Sequence, residues 1–499
     1  MTGWTERARL ALGRGVGLGD FLERLALVHR SRRLVEEASG PTYTYEQAAA
    51  RVALMAGAIA AMVRPGDRVA LALPNSYDVV LASLAAVRAG AVAVPLNAEL
   101  TDTERETVVN DAGAAVVVRH PEELLGAAPL EAPAPAGSVA AIFYTSGTTG
   151  RPKGARLGSR ALLGQISAAA LWPSGLRRDE AVFGLPLSHI MGFVAVLGVA
   201  GAGVPSYFLP HFRPDAALDA IEARRATFFI GVPAMYRMMV EAGAEERDLS
   251  SVRVWASGAD VMPPELVRRF QDMGAILTLP GGRSLGRAAF IEGYGMVETG
   301  GGVAVKVATP LPFRLPLIGG DSLGVPIPPN RMRVVGEDGH DVGAGDVGEL
   351  WVKGPGVLEG YHGDEAATRA VLTDDGWLRT GDMVRRGPMG TVSFVGREKD
   401  VIKRGGYSVY AVEVEGVLET HPAVAEAAVV GLPDDRLGEV PVAAVRLAPG
   451  QSATEEELAL WATDHLAGFK VPVRFLVVDQ LPRTGTRKVR RAELRRLFV

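Results

Sequence analysis

The chain has 499 residues, 48% of them hydrophobic, and a formal net charge of -4 from 53 basic and 57 acidic residues. At roughly 150 residues per domain this length predicts two or more domains, and the near-balanced charge argues against whole-chain electrostatic binding to nucleic acid or anionic membranes. The absence of cysteine excludes disulfides, thiolate-bound metals and a cysteine nucleophile, so the sulfur of any thioester comes from another molecule.

Two stretches of the sequence bear on the cellular location of the protein. Residues 1–20 are interrupted by charged side chains and lack the apolar segment of a signal peptide. The stretch 181–212 has no charged residue, but Pro186 and Pro205 interrupt it, and its clean apolar part, 190–204, is shorter than the roughly 18 residues of a membrane span. We therefore expect a cytoplasmic protein without a transmembrane segment, in which this stretch forms a buried, glycine-rich core helix.

Apolar strands alternate with helices in the first part of the chain. The spacing predicts helices over 45–62, 76–89, 102–111, 159–171, 214–224, 233–243 and 263–273, and strands over 68–73, 91–95, 114–118, 138–144, 226–231 and 252–256. This alternation predicts an α/β fold with a parallel sheet covered by helices on both faces.

The pattern changes twice further along the chain. Over about 303–395, short alternating strands separated by Gly and Pro predict an antiparallel β subdomain attached to the α/β core, with strands at 331–335, 348–353 and 392–395. The last hundred or so residues predict helices over 411–419 and 454–466, strands over 424–430, 440–447 and 474–478, and a basic tail. We therefore predict a large N-terminal domain over 1–396, which includes the β subdomain, and a small α+β domain over 397–499.

The most informative segment is YTSGTTGRPKGA at 144–155, which follows a predicted strand. It combines glycines, hydroxyl side chains and one lysine, and phosphate binding needs open backbone N–H groups, hydroxyl donors and a cation. It is not a Walker A loop, because Lys153 is followed by Gly154 instead of Ser or Thr. The segment thus predicts a phosphate-binding loop and disfavours a kinase or a P-loop ATPase.

With this segment the chain resembles the adenylate-forming (ANL) superfamily of acyl-CoA synthetases, carrier-protein-loading adenylation enzymes and luciferases. Five further segments stand in the family's order, namely GYGMVET at 293–299, WLRTGD at 377–382, GREKD at 396–400, RGGYSVY at 404–410 and LPRTGTRK at 481–488. The resemblance covers nearly the whole chain. It implies that a carboxylate attacks the α-phosphorus of ATP to give acyl-AMP and pyrophosphate, after which a thiol displaces AMP. It also implies ATP, Mg²⁺ and coenzyme A as cofactors.

The resemblance also implies which residues bind the nucleotide. The ATP and AMP contacts would be Thr145, Ser146, Gly147, Thr148, Thr149, Gly150, Lys153, Gly258, Ala259, Tyr294, Gly295, Met296, Asp382 and Arg397. Among them, the loop 145–153 would hold the β- and γ-phosphates, and Tyr294 would help to enclose adenine. Asp382 and Arg397 would bind the ribose hydroxyls as acceptor and donor.

The same resemblance implies the catalytic groups and the moving parts. Glu298 would hold Mg²⁺, a hard cation that takes oxygen ligands, and Lys488 would reach the bridging oxygen and the carboxylate in the first half-reaction. His189 would lie near the carboxylate and the thiol path, although a lone histidine in an apolar run is also typical of a core residue. The small C-terminal domain would be mobile, with Lys399 at the hinge. Gly405 and Gly406 would lie beside the entering CoA thiol.

Two positions depart from the family pattern. Val297 stands where a Thr is usual, which removes one hydroxyl near the α-phosphate, and losing one hydrogen bond costs about 0.5–1.5 kcal/mol. Arg487 stands where a Gly is usual, and it either crowds Lys488 or adds positive charge near the phosphates. We expect the first change to reduce activity without abolishing it.

The acyl pocket is predicted by position alone. Its lining, from 187–192, 229–232, 255–259 and 293–296, is apolar and offers no obvious cation for a second carboxylate. We therefore predict an ATP-dependent acyl-CoA synthetase for a hydrophobic monocarboxylic acid, fatty or aryl, with no nucleic-acid partner. Two alternatives remain, an acyl-AMP ligase that loads a phosphopantetheinyl carrier protein and a non-catalytic homologue that binds nucleotide or acyl ligand. The basic tail either docks a carrier protein or CoA phosphates, or is an ordinary solvated end.

Overall fold

A computed structural model describes residues 16–135, 137–145, 152–164, 169, 172, 178–278, 284–308, 322–483 and 489–498. Within these ranges, no helix has the length and apolar character to cross a membrane. The chain folds as two compact units, the first formed by Met1–Arg331 with Val352–Leu378 and the second by Met332–Trp351 with Arg379–Val499.

The helices of the described ranges follow the chain in order. They are α1 (Phe21–His29), α2 (Tyr45–Met62), α3 (Tyr77–Arg88), α4 (Asp102–Ala112), α5 (Ser159–Leu163), α6 (Ile190–Ala202), α7 (Pro214–Arg224), α8 (Pro233–Glu241), α9 (Pro264–Met273), α10 (Glu365–Val371), α11 (Ala411–Leu418), α12 (Glu455–His465) and α13 (Arg491–Arg496). Most of them begin and end within two residues of the bounds of a predicted helix, whereas α1, α10 and α13 were not predicted.

The strands are numbered in the same way. In the first part of the chain they are β1 (Arg33–Glu37), β2 (Thr42–Thr44), β3 (Arg68–Leu71), β4 (Val92–Pro95), β5 (Val116–Val118), β6 (Ala141–Thr145), β7 (Lys153–Leu157), β8 (Ala181–Phe183), β9 (Ser206–Phe208), β10 (Phe228–Gly231), β11 (Val254–Gly258), β12 (Leu277–Thr278), β13 (Ser284–Leu285), β14 (Ala289–Met296), β15 (Gly301–Ala308) and β16 (Val325–Pro326). They continue as β17 (Arg331–Val335), β18 (Val347–Lys353), β19 (Gly360–Tyr361), β20 (Leu378–Arg386), β21 (Val392–Arg397), β22 (Val401–Arg404), β23 (Tyr407–Tyr410), β24 (Val424–Asp434), β25 (Gly438–Leu447) and β26 (Phe475–Val477).

The first unit contains two large sheets with parallel centres. One has the order β16-β15-β14-β11-β10-β8-β9-β1-β2, and the other has the order β19-β7-β6-β4-β3-β5. The pairs from β14 to β9 and from β6 to β5 are parallel, which confirms the predicted α/β fold. The edges are antiparallel, at β1–β2, β14–β15 and β6–β7, and this was not predicted.

Helix α2 shows how local sequence sets these elements. Its first turn is capped by Thr44, whose hydroxyl accepts a hydrogen bond from the backbone N–H of Gln47 at 3.2 Å. Val52, Met55 and Ile59 recur at helical spacing and are buried. The predicted bounds, 45–62, agree with the observed ones.

The charge-free stretch 181–212 is core, as predicted, but it is not one helix. It folds into β8, α6 and β9, and α6 ends at Gly203, whose φ of 69° lies in the left-handed region that favours glycine. Phe193 and Leu197 of α6 are fully buried. The helix is therefore a short core helix that connects two parallel strands.

The second unit contains two smaller sheets. One has the order β17-β18-β20-β21, with β20 and β21 antiparallel, and the other has the order β23-β22-β25-β24, with β26 beside β25. In this division the four-stranded sheet groups with the C-terminal sheet. The predicted boundary between domains 1–396 and 397–499 stays a prediction.

Strand β24 is apolar on both faces because both faces are covered. Val429 belongs to a cluster with residues of α11 and α12, while its neighbour Val430 belongs to a cluster on the opposite face. Leu494 and Phe498, from the basic end of the chain, complete that second cluster. Residues 489–498 are thus packed against the sheet, which favours a structural role over an ordinary solvated tail.

Candidate active site

Two antiparallel strands flank the predicted phosphate-binding segment. Thr145 ends β6, Lys153 begins β7, and the two residues face each other in the antiparallel pair. The Thr145 hydroxyl donates to the backbone oxygen of Lys153 at 3.5 Å. Of the predicted phosphate ligands, Ser146, Gly147, Thr148, Thr149 and Gly150 lie outside the described residues. The segment is followed by a strand, β7, that runs antiparallel to β6, whereas the phosphate-binding loop of P-loop ATPases is followed by a helix.

Glu298 lies in a buried turn directly after β14. This single 3₁₀ turn, Val297–Thr299, leaves the glutamate only 8% exposed. The Tyr361 hydroxyl donates to Oε1 of Glu298 at 2.9 Å, and the backbone N–H of Leu358 donates to the Glu298 backbone oxygen at 2.9 Å. Burial and the nearby Glu298 carboxylate raise the pKa of Tyr361, so its hydroxyl stays protonated and acts as the donor.

The same tyrosine contacts the predicted phosphate-binding lysine. Lys153 Nζ lies 5.2 Å from the centroid of the Tyr361 ring, within the range of a cation–π interaction. Strand β19, which carries Tyr361, pairs with β7, which carries Lys153. The structure therefore brings Lys153 and Glu298 to one aromatic residue. Tyr361 was not predicted from the sequence, because it lies 63 residues from Glu298 and no local spacing relates the two.

The geometry fits a hard divalent cation at Glu298. One carboxylate oxygen is engaged by Tyr361, and the other has no hydrogen-bond donor among the described residues. No group of three or more His, Asp or Glu side chains suited to hold a metal occurs in the described ranges. A single carboxylate suits Mg²⁺, which usually takes one or two protein ligands together with substrate phosphates and water.

Close backbone approach explains the glycines at the ends of β11 and β14. A Cβ on Gly258 would lie 3.0 Å from the backbone oxygen of Gly293, and one on Gly295 would lie 1.9 Å from that of Gly301. Ala259 follows with a φ of 70°, which side chains rarely adopt. These strand ends are where α/β sheets bind ligands, and Tyr294 and Met296 lie half-buried beside them.

His189 has a structural role in addition to the predicted one. It is the N-cap of α6, and its Nδ1 accepts from the backbone N–H of Met191 at 3.4 Å. In a neutral ring this places the proton on Nε2. The half-buried ring is therefore held in one orientation by the helix start, and its role beside the substrate carboxylate stays a prediction.

Val297, the departure from the family's Thr, packs in the core. It is buried in the same apolar cluster as Leu162 and Leu358. A threonine hydroxyl at this position would have to find a partner in apolar surroundings or turn toward the site. Compared with a threonine, Val297 therefore lacks a polar contact and adds an apolar side chain to the core. The second departure, Arg487, lies outside the described residues.

The segments predicted to line the acyl pocket contribute residues to the core, and a charged pair lies next to one of them. Phe229 and Trp255 are fully buried, with ring centroids 5.9 Å apart, in a cluster of aromatic side chains. Next to the predicted lining, Lys306 Nζ lies 2.8 Å from Glu292 Oε1 across β14 and β15, with side chains 12% and 19% exposed. Burial raises the pKa of Glu292, and the Lys306 charge opposes that rise. Neither member of this pair was predicted.

The predicted ribose-binding residues lie side by side in the second unit. Asp382 and Arg397 face each other across β20 and β21, and Arg397 Nε lies 2.6 Å from Asp382 Oδ1. Asp382 is 1% exposed, whereas the Arg397 side chain is 37% exposed. An acceptor and a donor are therefore adjacent, as recognition of a diol requires.

The predicted hinge and thiol-path residues also belong to the second unit. Lys399 lies in the 3₁₀ turn Glu398–Asp400, where burial lowers its pKa and Asp400 acts in the opposite direction. Gly405 and Gly406 connect β22 to β23 with φ angles of 57° and 85°. A two-residue turn with both φ values positive favours glycine. Lys488, the predicted catalytic lysine, lies outside the described residues.

Comparison with known proteins identifies the family. The profile described as AMP-binding enzyme matches residues 22–362, and the AMP-binding enzyme C-terminal domain matches 413–488. The chain belongs to the AMP-binding enzyme family. Feruloyl-CoA synthase of Amycolatopsis sp is 36% identical over 97% of this chain and 100% of its own length. Fatty acid–[acyl-carrier-protein] ligase ScoC of Streptomyces coeruleorubidus is 32% identical over 92% of each chain.

One similar solved structure contains bound ATP and magnesium ion. O-succinylbenzoate coenzyme A synthetase of Bacillus subtilis, in complex with ATP and magnesium ion, has a TM-score of 0.81 and 28% identity over 95% of this chain and 99% of that chain. The predicted adenylate-forming family, the α/β fold and the AMP-forming acid–thiol ligase class are thereby confirmed. The use of ATP, Mg²⁺ and coenzyme A is confirmed for this class.

Proposed function

We propose that the chain is an ATP-dependent acyl-CoA synthetase that activates an aryl or fatty monocarboxylic acid as acyl-AMP and then transfers the acyl group to the CoA thiol. The observation that carries the proposal is the convergence of Lys153 and Glu298 on Tyr361. Tyr361 thereby connects, within the first unit, the lysine proposed for the phosphates and the glutamate proposed for the metal. Such a group is suited to bind ATP together with Mg²⁺.

The chemistry needs positioned charge and no protein nucleophile. In the first step a carboxylate oxygen attacks the α-phosphorus, and the bond to pyrophosphate breaks. When bound, Mg²⁺ supplies positive charge that stabilises the departing pyrophosphate. Lys153 neutralises the terminal phosphates, Asp382 accepts from the ribose hydroxyls, and Lys488 stabilises charge at the bridging oxygen. In the second step the CoA sulfur attacks the carbonyl carbon and AMP leaves, which agrees with a chain that has no cysteine.

The buried pair beside the predicted pocket supports a monocarboxylic acid. Lys306 is neutralised by Glu292, so it is not a free cation for a second carboxylate. Breaking such a buried pair to bind a dicarboxylic acid would leave a charge uncompensated. The feruloyl-CoA synthase match, over 97% of this chain and the full length of that enzyme, favours an aryl acid as the first to test.

The acceptor is the point on which relatives differ. We place CoA first, because residues of the basic end are engaged in packing: Arg491 Nη1 lies 2.8 Å from Glu415 Oε1. A carrier-protein acceptor is the second candidate, supported by the acyl-carrier-protein ligase among the relatives. We also propose a cytoplasmic location, since a chain without disulfides has no need of an oxidising compartment.

The proposal predicts acyl-CoA and AMP in equal amounts when the protein is incubated with ATP, Mg²⁺, CoA and its acid. Ferulate, other aryl acids, medium- and long-chain fatty acids and a dicarboxylic acid are compared by chromatography of acyl-CoA. We expect product from an aryl or fatty acid and none from the dicarboxylic acid. Product formed only on a phosphopantetheinylated carrier protein would favour the second candidate. ATP binding without AMP release for every acid would favour a non-catalytic homologue.

A further inference from the structure

Tyr361 offers two different contacts to two charged groups. Its hydroxyl donates to Glu298 Oε1 at 2.9 Å, and the face of its ring lies 5.2 Å from Lys153 Nζ. Tyr361 is 7% exposed, so these contacts are made away from bulk water. Electrostatic and hydrogen-bonding contacts gain strength in such surroundings.

The backbone around Tyr361 is fixed to both partners. On one side, the N–H of His362 donates to the backbone oxygen of Gly154 at 2.7 Å, next to Lys153. On the other side, the N–H of Leu358 donates to the Glu298 backbone oxygen. The Tyr361 N–H itself donates to the Thr368 hydroxyl at 2.9 Å. The tyrosine is therefore held in place independently of the two charges that it contacts.

We propose that Tyr361 is a positioning residue for the ATP–Mg²⁺ site. Its hydroxyl donates to Oε1 of Glu298, so that Oε2 would be available to the metal, and its ring contacts the Lys153 ammonium, which would face the phosphates. Lys153 and Glu298, both described, do not form an ion pair with each other. Because each is held on a different part of the tyrosine, the opposite charges do not neutralise each other before the ligand binds. This inference rests on the proposed function.

Calorimetric titration of ATP, once with Mg²⁺ and once with EDTA, tests this role without any acid or turnover. Tyr361→Phe keeps the ring and removes the hydroxyl. We expect its affinity for metal-free ATP to stay within twofold of wild type, while the gain in affinity from Mg²⁺ falls about tenfold, the effect of one lost hydrogen bond. Tyr361→Leu also removes the ring, and we expect a further severalfold loss of affinity for metal-free ATP.

Tyr45→Phe is the matched control. Tyr45 is also a buried phenol, and its hydroxyl donates to the backbone oxygen of Ala200 at 2.8 Å. We expect this variant to lose thermal stability and to keep the full gain from Mg²⁺. A Mg²⁺ gain in Tyr361→Phe equal to that of wild type, or an equal loss in Tyr45→Phe, would overturn the positioning role. Wild-type protein that binds no ATP with Mg²⁺ would overturn the proposed function and, with it, this inference.

Discussion

Replacing Glu298 with glutamine is expected to lower Mg²⁺-dependent ATP–pyrophosphate exchange by roughly 10²- to 10³-fold, the range seen when one preorganised electrostatic contact is lost. Glutamine has nearly the same shape, and its oxygen still accepts from the Tyr361 hydroxyl, so the buried turn is preserved. What changes is the charge offered to the metal. We therefore expect the variant to fold normally and to need far more Mg²⁺ for the activity that remains.

Glu359→Gln is the control for this substitution. Glu359 follows Leu358 in the same segment, but its side chain is exposed. The same chemical change there should leave exchange within twofold of wild type. Exchange and its Mg²⁺ dependence are measured on both variants with the acid identified by the product assay. A Glu298→Gln variant as active as Glu359→Gln would contradict the assignment of Glu298 to the metal.

Replacing Gly295 with alanine is expected to lower the free energy of unfolding by about 3 kcal/mol. The new Cβ would lie 1.9 Å from the backbone oxygen of Gly301 and 2.6 Å from its carbonyl carbon. Both contacts are to the backbone of the neighbouring strand β15, so no side chain can rotate away. Relief requires that β14 and β15 separate where the chain turns toward Glu298, and exchange activity should be lost together with stability.

Gly198→Ala is expected to raise the free energy of unfolding and serves as the control. Gly198 lies inside α6, and a Cβ there meets no atom within 4 Å apart from its chain neighbours and the backbone of its own helix. Alanine is a better helix former than glycine by up to about 1 kcal/mol, so this variant should be more stable than wild type. Urea unfolding of the two variants, followed by circular dichroism, gives both values. If the two variants were equally stable, the backbones at Gly295 and Gly301 would not approach each other as closely as the 1.9 Å distance indicates.

Local patterns account for most of the elements that the sequence predicted. Helix α2 has a capping threonine and apolar residues at helical spacing, so its bounds follow from neighbouring residues alone. The antiparallel edge at β6–β7 does not follow from such patterns. A strand that enters a loop has the same sequence pattern whether the chain returns beside it or continues into a helix.

The residues of the candidate site also fall into two groups, those that local motifs predict and those that only the folded chain brings together. Motif segments predicted Lys153, Glu298, Asp382 and Arg397, and the structure pairs the last two across adjacent strands. Tyr361 and the Glu292–Lys306 pair escaped prediction because each depends on contacts between separate strands or turns. The basic end of the chain was hard to interpret for another reason. Two apolar residues, Leu494 and Phe498, stand among many cations, and only the sheet that they cover reveals their role.

Acid-dependent adenylation can be measured by ATP–pyrophosphate exchange in the wild-type protein and in Lys488→Ala. Acid-dependent adenylation predicts exchange that requires Mg²⁺ and one class of aryl or fatty acid, and a decrease of about 10²- to 10³-fold in the variant. Exchange that is independent of acid, or no exchange with any acid by a protein that binds ATP and Mg²⁺, would contradict it.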